Sequence, residues 1–175
     1  MIASHLKVIK KSKYQEVGGC DPRFAGVQDW DLALKISRNG NFFYINRSLY
    51  KHRIHSNSVT RGDNVSQFRK TNIVRRNYWE FLKEKREILF TGDTKILTSS
   101  TQWGDVAKLK EFLEQGYVCA AYLPDSLNIS EINFFREFNS YFEMIYCTDS
   151  AVAASLAGYL WDPTMIKLCT PSDGD

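Results

Sequence analysis

Cysteine, proline and histidine are scarce in this 175-residue chain, which has four, four and three of them. Cys20, Cys119, Cys147 and Cys169 are widely scattered and form no CxxC pair. That excludes a zinc ribbon and makes reduced core thiols of a cytosolic protein the expectation. No apolar run approaches the roughly 20 residues that span a bilayer. No charged segment with an apolar run behind it follows Met1, so nothing signals secretion. GxGxxG and Walker A sequences are absent, and Gly92-Asp93-Thr94 is too short to be a phosphate loop.

The remaining composition is that of a folded protein. With 43% hydrophobic and 25% charged residues, the chain can bury a core and is not disordered as a whole. Its length suits one ordinary domain or two small ones. The net charge of +3 hides a division. Residues 1–87 hold 18 Lys and Arg against 8 Asp and Glu, a net of +10; residues 88–175 hold 5 against 12, a net of −7. Two units with different surfaces are therefore expected, 1–87 and 88–175, the basic one suited to an anionic partner.

In the first unit, Ser12 to Gln15 has capping-box spacing for a short helix, which Gly18-Gly19 ends. Asp21-Pro22 marks a turn. Asp29 reads as the N-cap of a helix with Asp31 in its first turn, an apolar stripe of Trp30, Ala33 and Leu34, and a stop at Asn39-Gly40. Residues 42–45 and 48–53 read as short strands joined by an Asn46-Arg47 turn. Gly62-Asp63 opens a long basic helix reaching about Lys85. It is either a solvated helix packed on its own domain or an amphipathic helix on an anionic membrane. No nucleic-acid motif accompanies the charge, so nucleic acid is not an expected partner.

Residues 88–175 alternate strand and helix. Strands are expected at 88–90, 95–97, 117–123, 144–147 and 165–169. Helices are expected at 105–114, from a Ser130 cap to about Phe142, and at 151–160. This is the pattern of βαβ units and an incomplete Rossmann-like sheet. Asp149-Ser150 ends a strand where open α/β sheets bind ligands, but the pair reads equally as a helix cap.

Taken alone, Asp29 is a carboxylate at a helix start. The order of the surrounding pieces adds to that. Lys7-Val8-Ile9-Lys10-Lys11-Ser12, Gly18-Gly19-Cys20-Asp21, Gln28-Asp29-Trp30-Asp31-Leu32, and Tyr50-Lys51-His52-Arg53-Ile54-His55 with Ser58 follow one another over residues 5–60. This set resembles the C-terminal, acceptor-side half of family 2 glycosyltransferases of the GT-A fold. The resemblance implies an inverting glycosyltransferase of polysaccharide or glycoconjugate synthesis. It would use a nucleotide-sugar donor and a carbohydrate acceptor, in the cytoplasm or at the inner face of the membrane with peripheral membrane contact.

By the same resemblance, Asp29 is the catalytic base. Gly18, Gly19, Asp21, Gln28, Trp30, Asp31 and Arg53 contact substrate or support those contacts. His55 faces a divalent metal, Mn²⁺ or Mg²⁺, expected only together with the donor half, or else makes a strand-end hydrogen bond. Gln28 and Cys20 stand where the family usually has Glu and Phe. The nucleotide-binding half, which ends in a metal-binding Asp-x-Asp, has no counterpart here. Asp29-Trp30-Asp31 follows a turn, not an apolar strand, so this chain by itself is not expected to be catalytically competent. The second half weakly resembles the N-terminal sheet of GT-B glycosyltransferases through its element order and Cys147-Thr148-Asp149-Ser150. The alternative for the whole chain is a non-enzymatic α/β module docking on an anionic membrane or partner.

Overall fold

The computed structural model describes residues 7–51, 64–86 and 93–169. It divides into two compact units, Met1–Gln67 and Phe68–Asp175. The division falls inside a helix expected to belong wholly to the first unit, not at 87/88. Between Phe68 and Lys83 that helix is engaged by side chains and carbonyls of residues 136–161, far from it in sequence.

The first unit is built from short helices. Helix α1 (Lys11–Glu16) begins without a side-chain cap, so Ser12 lies inside it and is not its cap. Helix α2 (Gln28–Ser37) starts at the N-cap Val27, not at Asp29. Burial decides this: Val27 is in the core and its carbonyl already accepts from Trp30 and Asp31 N–H. The buried side of α2 is Asp31, Leu32 and Ile36, not the expected stripe of Trp30, Ala33 and Leu34, which are half-buried. No strand forms at 42–45 or 48–51. Aromatic residues favour strands only where a neighbouring strand takes up the backbone groups, and no described strand pairs with these.

The second unit contains a four-stranded parallel sheet in the order β1-β2-β3-β4: β1 (Thr94–Leu97), β2 (Val118–Leu123), β3 (Met144–Cys147) and β4 (Ile166–Leu168). Leu97 pairs with Ala121, Ala121 with Ile145 and Ile145 with Ile166, which fixes the register. The crossovers are α4 (Ser100–Trp103) with α5 (Val106–Glu114), then α6 (Ile129–Phe138), then α7 (Ser150–Ala157). The α/β class is as expected. Strand order follows chain order, as in one half of a doubly wound sheet, and the reversal that creates a ligand crevice is absent among the described strands.

When every crossover steps the same way, the right-handed rule puts every connecting helix on one face. Burial agrees. Leu97, Cys119, Ala121, Leu123, Ile145 and Cys147 form the packed face, in one cluster with Trp103, Leu109, Phe135 and Leu156. On the other face Ile96 and Tyr122 are exposed.

Local chemistry fixes the helix starts. Asp105 accepts from Ala107 and Lys108 N–H, and Asp149 from Ala151 and Val152 N–H. Asn128, not Ser130, caps α6. It accepts from Ser130 and Glu131 N–H while Glu131 accepts back from Asn128 N–H, a full capping box.

Helix α3 (Asn64–Arg86) docks on this unit by its middle. Buried Asn72 donates to the Arg136 carbonyl at 2.8 Å. The Arg75 guanidinium donates to the Glu137 carbonyl, and Trp79 meets Tyr141 edge-on at 5.7 Å. Buried Arg76 pairs with Glu143 and Glu80 and lies 4.5 Å over the Trp161 ring. Below α3, fully buried Asn139 donates to the Tyr159 carbonyl at 3.0 Å and accepts from Trp161 N–H at 2.9 Å. No described helix is long and apolar enough to cross a membrane.

Candidate functional site

The residues carried over from the resemblance lie on one stretch of the first unit. The turn after α1 comes first. Gly18 and Gly19 have φ of 76° and 66°, in the left-handed region that glycine enters without strain. Gly18 N–H donates to the Gln15 carbonyl and Gly19 N–H to the Tyr14 carbonyl, closing the helix. The Tyr14 ring lies against Gly19, where a Cβ would come within 2.8 Å of it. The Tyr14 hydroxyl accepts from Cys20 N–H at 3.3 Å. Gly19 thus has a local packing reason, and Gly18 a conformational one in its left-handed φ. Cys20 is exposed, contrary to the expectation of a core thiol, because the turn presents it to solvent.

Asp21 caps the single 3₁₀ turn Pro22–Phe24 by accepting from Arg23 N–H. Its carboxylate also takes a forked contact from the Arg23 guanidinium, with Nη2 at 2.7 Å and Nε at 3.0 Å from Oδ2. The Arg23 side-chain and backbone hydrogen bonds hold the Asp21 carboxyl at about 2, and the Lys35 charge pulls the same way. Asp21 raises Arg23 in turn, with a smaller contribution from Asp31. Asp21, Arg23, Asp31 and Lys35 therefore form a patch of alternating charge.

The structure separates the two carboxylates of Asp29-Trp30-Asp31. Asp31 is 6% exposed, and its Oδ2 lies 2.6 Å from Lys35 Nζ one turn along the helix. The ion pair alone serves that oxygen, which has no aligned hydrogen-bond donor. The Asp29 side chain is 46% exposed. Its Oδ1 accepts from Trp30 N–H at 3.0 Å and its Oδ2 from Lys7 Nζ at 3.2 Å. Asp31 is thus a structural residue of α2, while Asp29, in the first turn of the same helix, pairs with Lys7 and stays about half exposed. Gln28 accepts from Gly26 N–H at 2.6 Å, which ties the chain just before the helix. Trp30 is half-buried on α2.

Arg53, His55, His52 and Ser58 lie outside the described residues, so the phosphate and metal roles drawn for Arg53 and His55 have no structural counterpart here. Among the described residues no group of three His, Cys, Asp or Glu side chains could hold a metal ion. Asp29 and Asp31, the nearest approach in sequence, are turned to different lysines.

Sequence reasoning missed Lys7 and Arg23 as partners. The Asp31–Lys35 spacing of four residues was a readable signal; the Lys7–Asp29 pair, 22 residues apart, gave none. At the sheet's carboxyl edge, Asp149 is a helix cap, and Thr148 Oγ1 donates to Asp125. Comparison with protein-family models, with curated proteins and with solved structures finds no match for this chain.

Proposed function

We propose that this chain carries the acceptor side of an inverting family 2 glycosyltransferase, with Asp29 as general base. The observation that carries the reading is the ordered motif set of residues 5–60, with Asp29 the carboxylate of the pair left open to solvent. In the proposed step, an acceptor hydroxyl attacks the anomeric carbon of a nucleotide sugar. Its proton passes to the Asp29 carboxylate as the oxygen–carbon bond forms. The bond from that carbon to the diphosphate breaks, and the nucleoside diphosphate leaves with the electron pair. A base for this step must stand within hydrogen-bond reach of the hydroxyl. A helix first turn gives a short side chain a fixed direction, and the Trp30 N–H bond fixes the carboxylate further.

Trp30 and Gln28 flank the base and are proposed to shape the acceptor contact. Asp31, Asp21 and the two glycines are proposed to hold the frame. A divalent metal, Mn²⁺ or Mg²⁺, belongs to this reading through the charge of the diphosphate, with His55 and Arg53 as its expected neighbours.

The test is sugar transfer by this chain supplied with a nucleotide-binding half of the family, fused to it or added in trans. Asp29→Asn is expected to lower transfer by about 10²- to 10⁴-fold with an unchanged circular-dichroism spectrum. Full transfer by the variant would refute the role of Asp29. Lys7→Ala serves as a control for general damage, because it removes the same ion pair but leaves the carboxylate.

A further inference from the structure

We infer that α3 is a releasable strap: it opens from the sheet unit as one body while the sheet and its crossover helices stay folded. The first support is the core. Among the described residues, the buried cluster that closes the packed face of the sheet contains none from α3, and Trp79 alone of that helix packs against it, partly buried. The core is therefore complete without the helix, and cooperative openings follow boundaries of this kind.

The chemistry of the docked side is the second support. Phe68, Asn72, Arg75, Arg76, Trp79 and Lys83 recur every three or four residues, and all reach residues 136–161. A helix laid on a core usually presents an apolar stripe, yet only Phe68 and Trp79 here are apolar. The stripe instead finishes another helix. The last four carbonyls of an α-helix have no partner within it. In α6, Asn72 serves the Arg136 carbonyl and Arg75 the Glu137 carbonyl. Arg75 and Arg76 also stand at the negative end of the α6 dipole, and Arg76 and Lys83 pair with Glu143. On release such bonds are exchanged for bonds to water at a small net cost each.

Third, closure leaves polar atoms unserved. Asn72 Oδ1, Ser140 Oγ and Arg136 Nε are buried with no hydrogen-bond partner in the protein. Each is a penalty on the closed form that opening removes. Opening uncovers a seat made of the Glu137 and Glu143 carboxylates, the Tyr141 and Trp161 rings and the carboxyl end of α6. That seat suits a cationic helix, and α3 fills it when closed. The inference does not depend on Asp29 being a base.

The experiment is hydrogen–deuterium exchange of the whole chain, read at the amides of residues 68–83 and of β2 and β3. The α3 amides are expected to share one protection factor, at least about tenfold below that of the two strands. Asp149→Ala weakens the α7 cap in the closed and open forms alike. It is expected to lower strand protection by about fivefold and to leave α3 protection unchanged. Asp105→Ala is expected to do the same through α5. Asn72→Ala and Glu143→Gln weaken the closed form alone, so each is expected to lower protection of α3 and of the strands by one common factor of about three or more. Equal protection of α3 and the strands would overturn the inference, as would an α3 response to Asp149→Ala matching that of the strands. So would α3 protection that grades inward from the helix ends, which is fraying, or that ignores both Asn72→Ala and Glu143→Gln.

Discussion

The two units treat their aromatic residues in opposite ways. In the second, Trp103 packs on Phe135 at 4.7 Å and Phe135 on Phe142 at 5.5 Å, and all three are buried. In the first, Phe42, Phe43 and Tyr44 stand in solvent. Composition does not distinguish these segments; their neighbours do. The second unit surrounds each ring with a sheet face and the helices that cross it, whereas the 42–50 run has no described strand beside it. An aromatic residue is thus a core residue or a contact residue according to what the topology stacks against it.

Trp103→Ala should produce the largest effect. Removing a 1%-exposed indole from the core is expected to cost the second unit about 3–5 kcal/mol, read by urea unfolding. A cost below about 1 kcal/mol would mean that this core is looser than the packing indicates. Gly19→Ala comes next. The left-handed φ and the Tyr14 ring both oppose a methyl group, with an expected loss of about 1–3 kcal/mol in the first unit. Asp149→Ala removes a cap that serves two amides and should cost the second unit about 1 kcal/mol.

Alkaline pH acts through the buried thiols. Burial pushes the Cys119 thiol from 9.0 up to about 11, and Cys147 moves in the same direction. The folded state therefore keeps these protons while the unfolded chain releases them. Stability from this source is full below pH 9 and declines as pH rises toward 11, measured as a falling melting temperature. A thiol reagent at pH 8 should modify Cys20 at once and Cys119 only on unfolding. Phe43→Ala closes the series, with an expected stability change within about 0.5 kcal/mol. A larger loss would mean that the ring is packed, and the contrast between the units would fail.

What could be read from the sequence was mostly local. Asp105 and Asp149 ahead of apolar runs marked two helix starts, and Gly18-Gly19 marked a helix end. Short apolar runs marked strands whose alternation with helices gave a parallel sheet. Nonlocal effects stayed hidden. The burial of Val27 moved the start of α2 ahead of Asp29. Strand propensity at 42–50 had no strand beside it among the described residues. The allegiance of α3 rests on partners 62 to 67 residues away, which no local pattern reveals. At the candidate site the motif order was legible, and the i,i+4 spacing of Asp31 and Lys35 could have been read. The exposure that distinguishes Asp29 from Asp31 could not.

The clasp of α3 also orders events in time. Each strand of the sheet pairs with the next strand in the chain, so the sheet can grow one crossover at a time with short loops to close. The bonds from Asn72, Arg75 and Arg76 to other elements run instead to residues 136–143 and to Tyr159, and Arg76 also covers Trp161. A nascent chain that has emerged only as far as β2 contains none of these partners except Glu80 on the helix itself. The bonds that hold α3 in this unit can therefore form only after α6 and the segment behind it have been made.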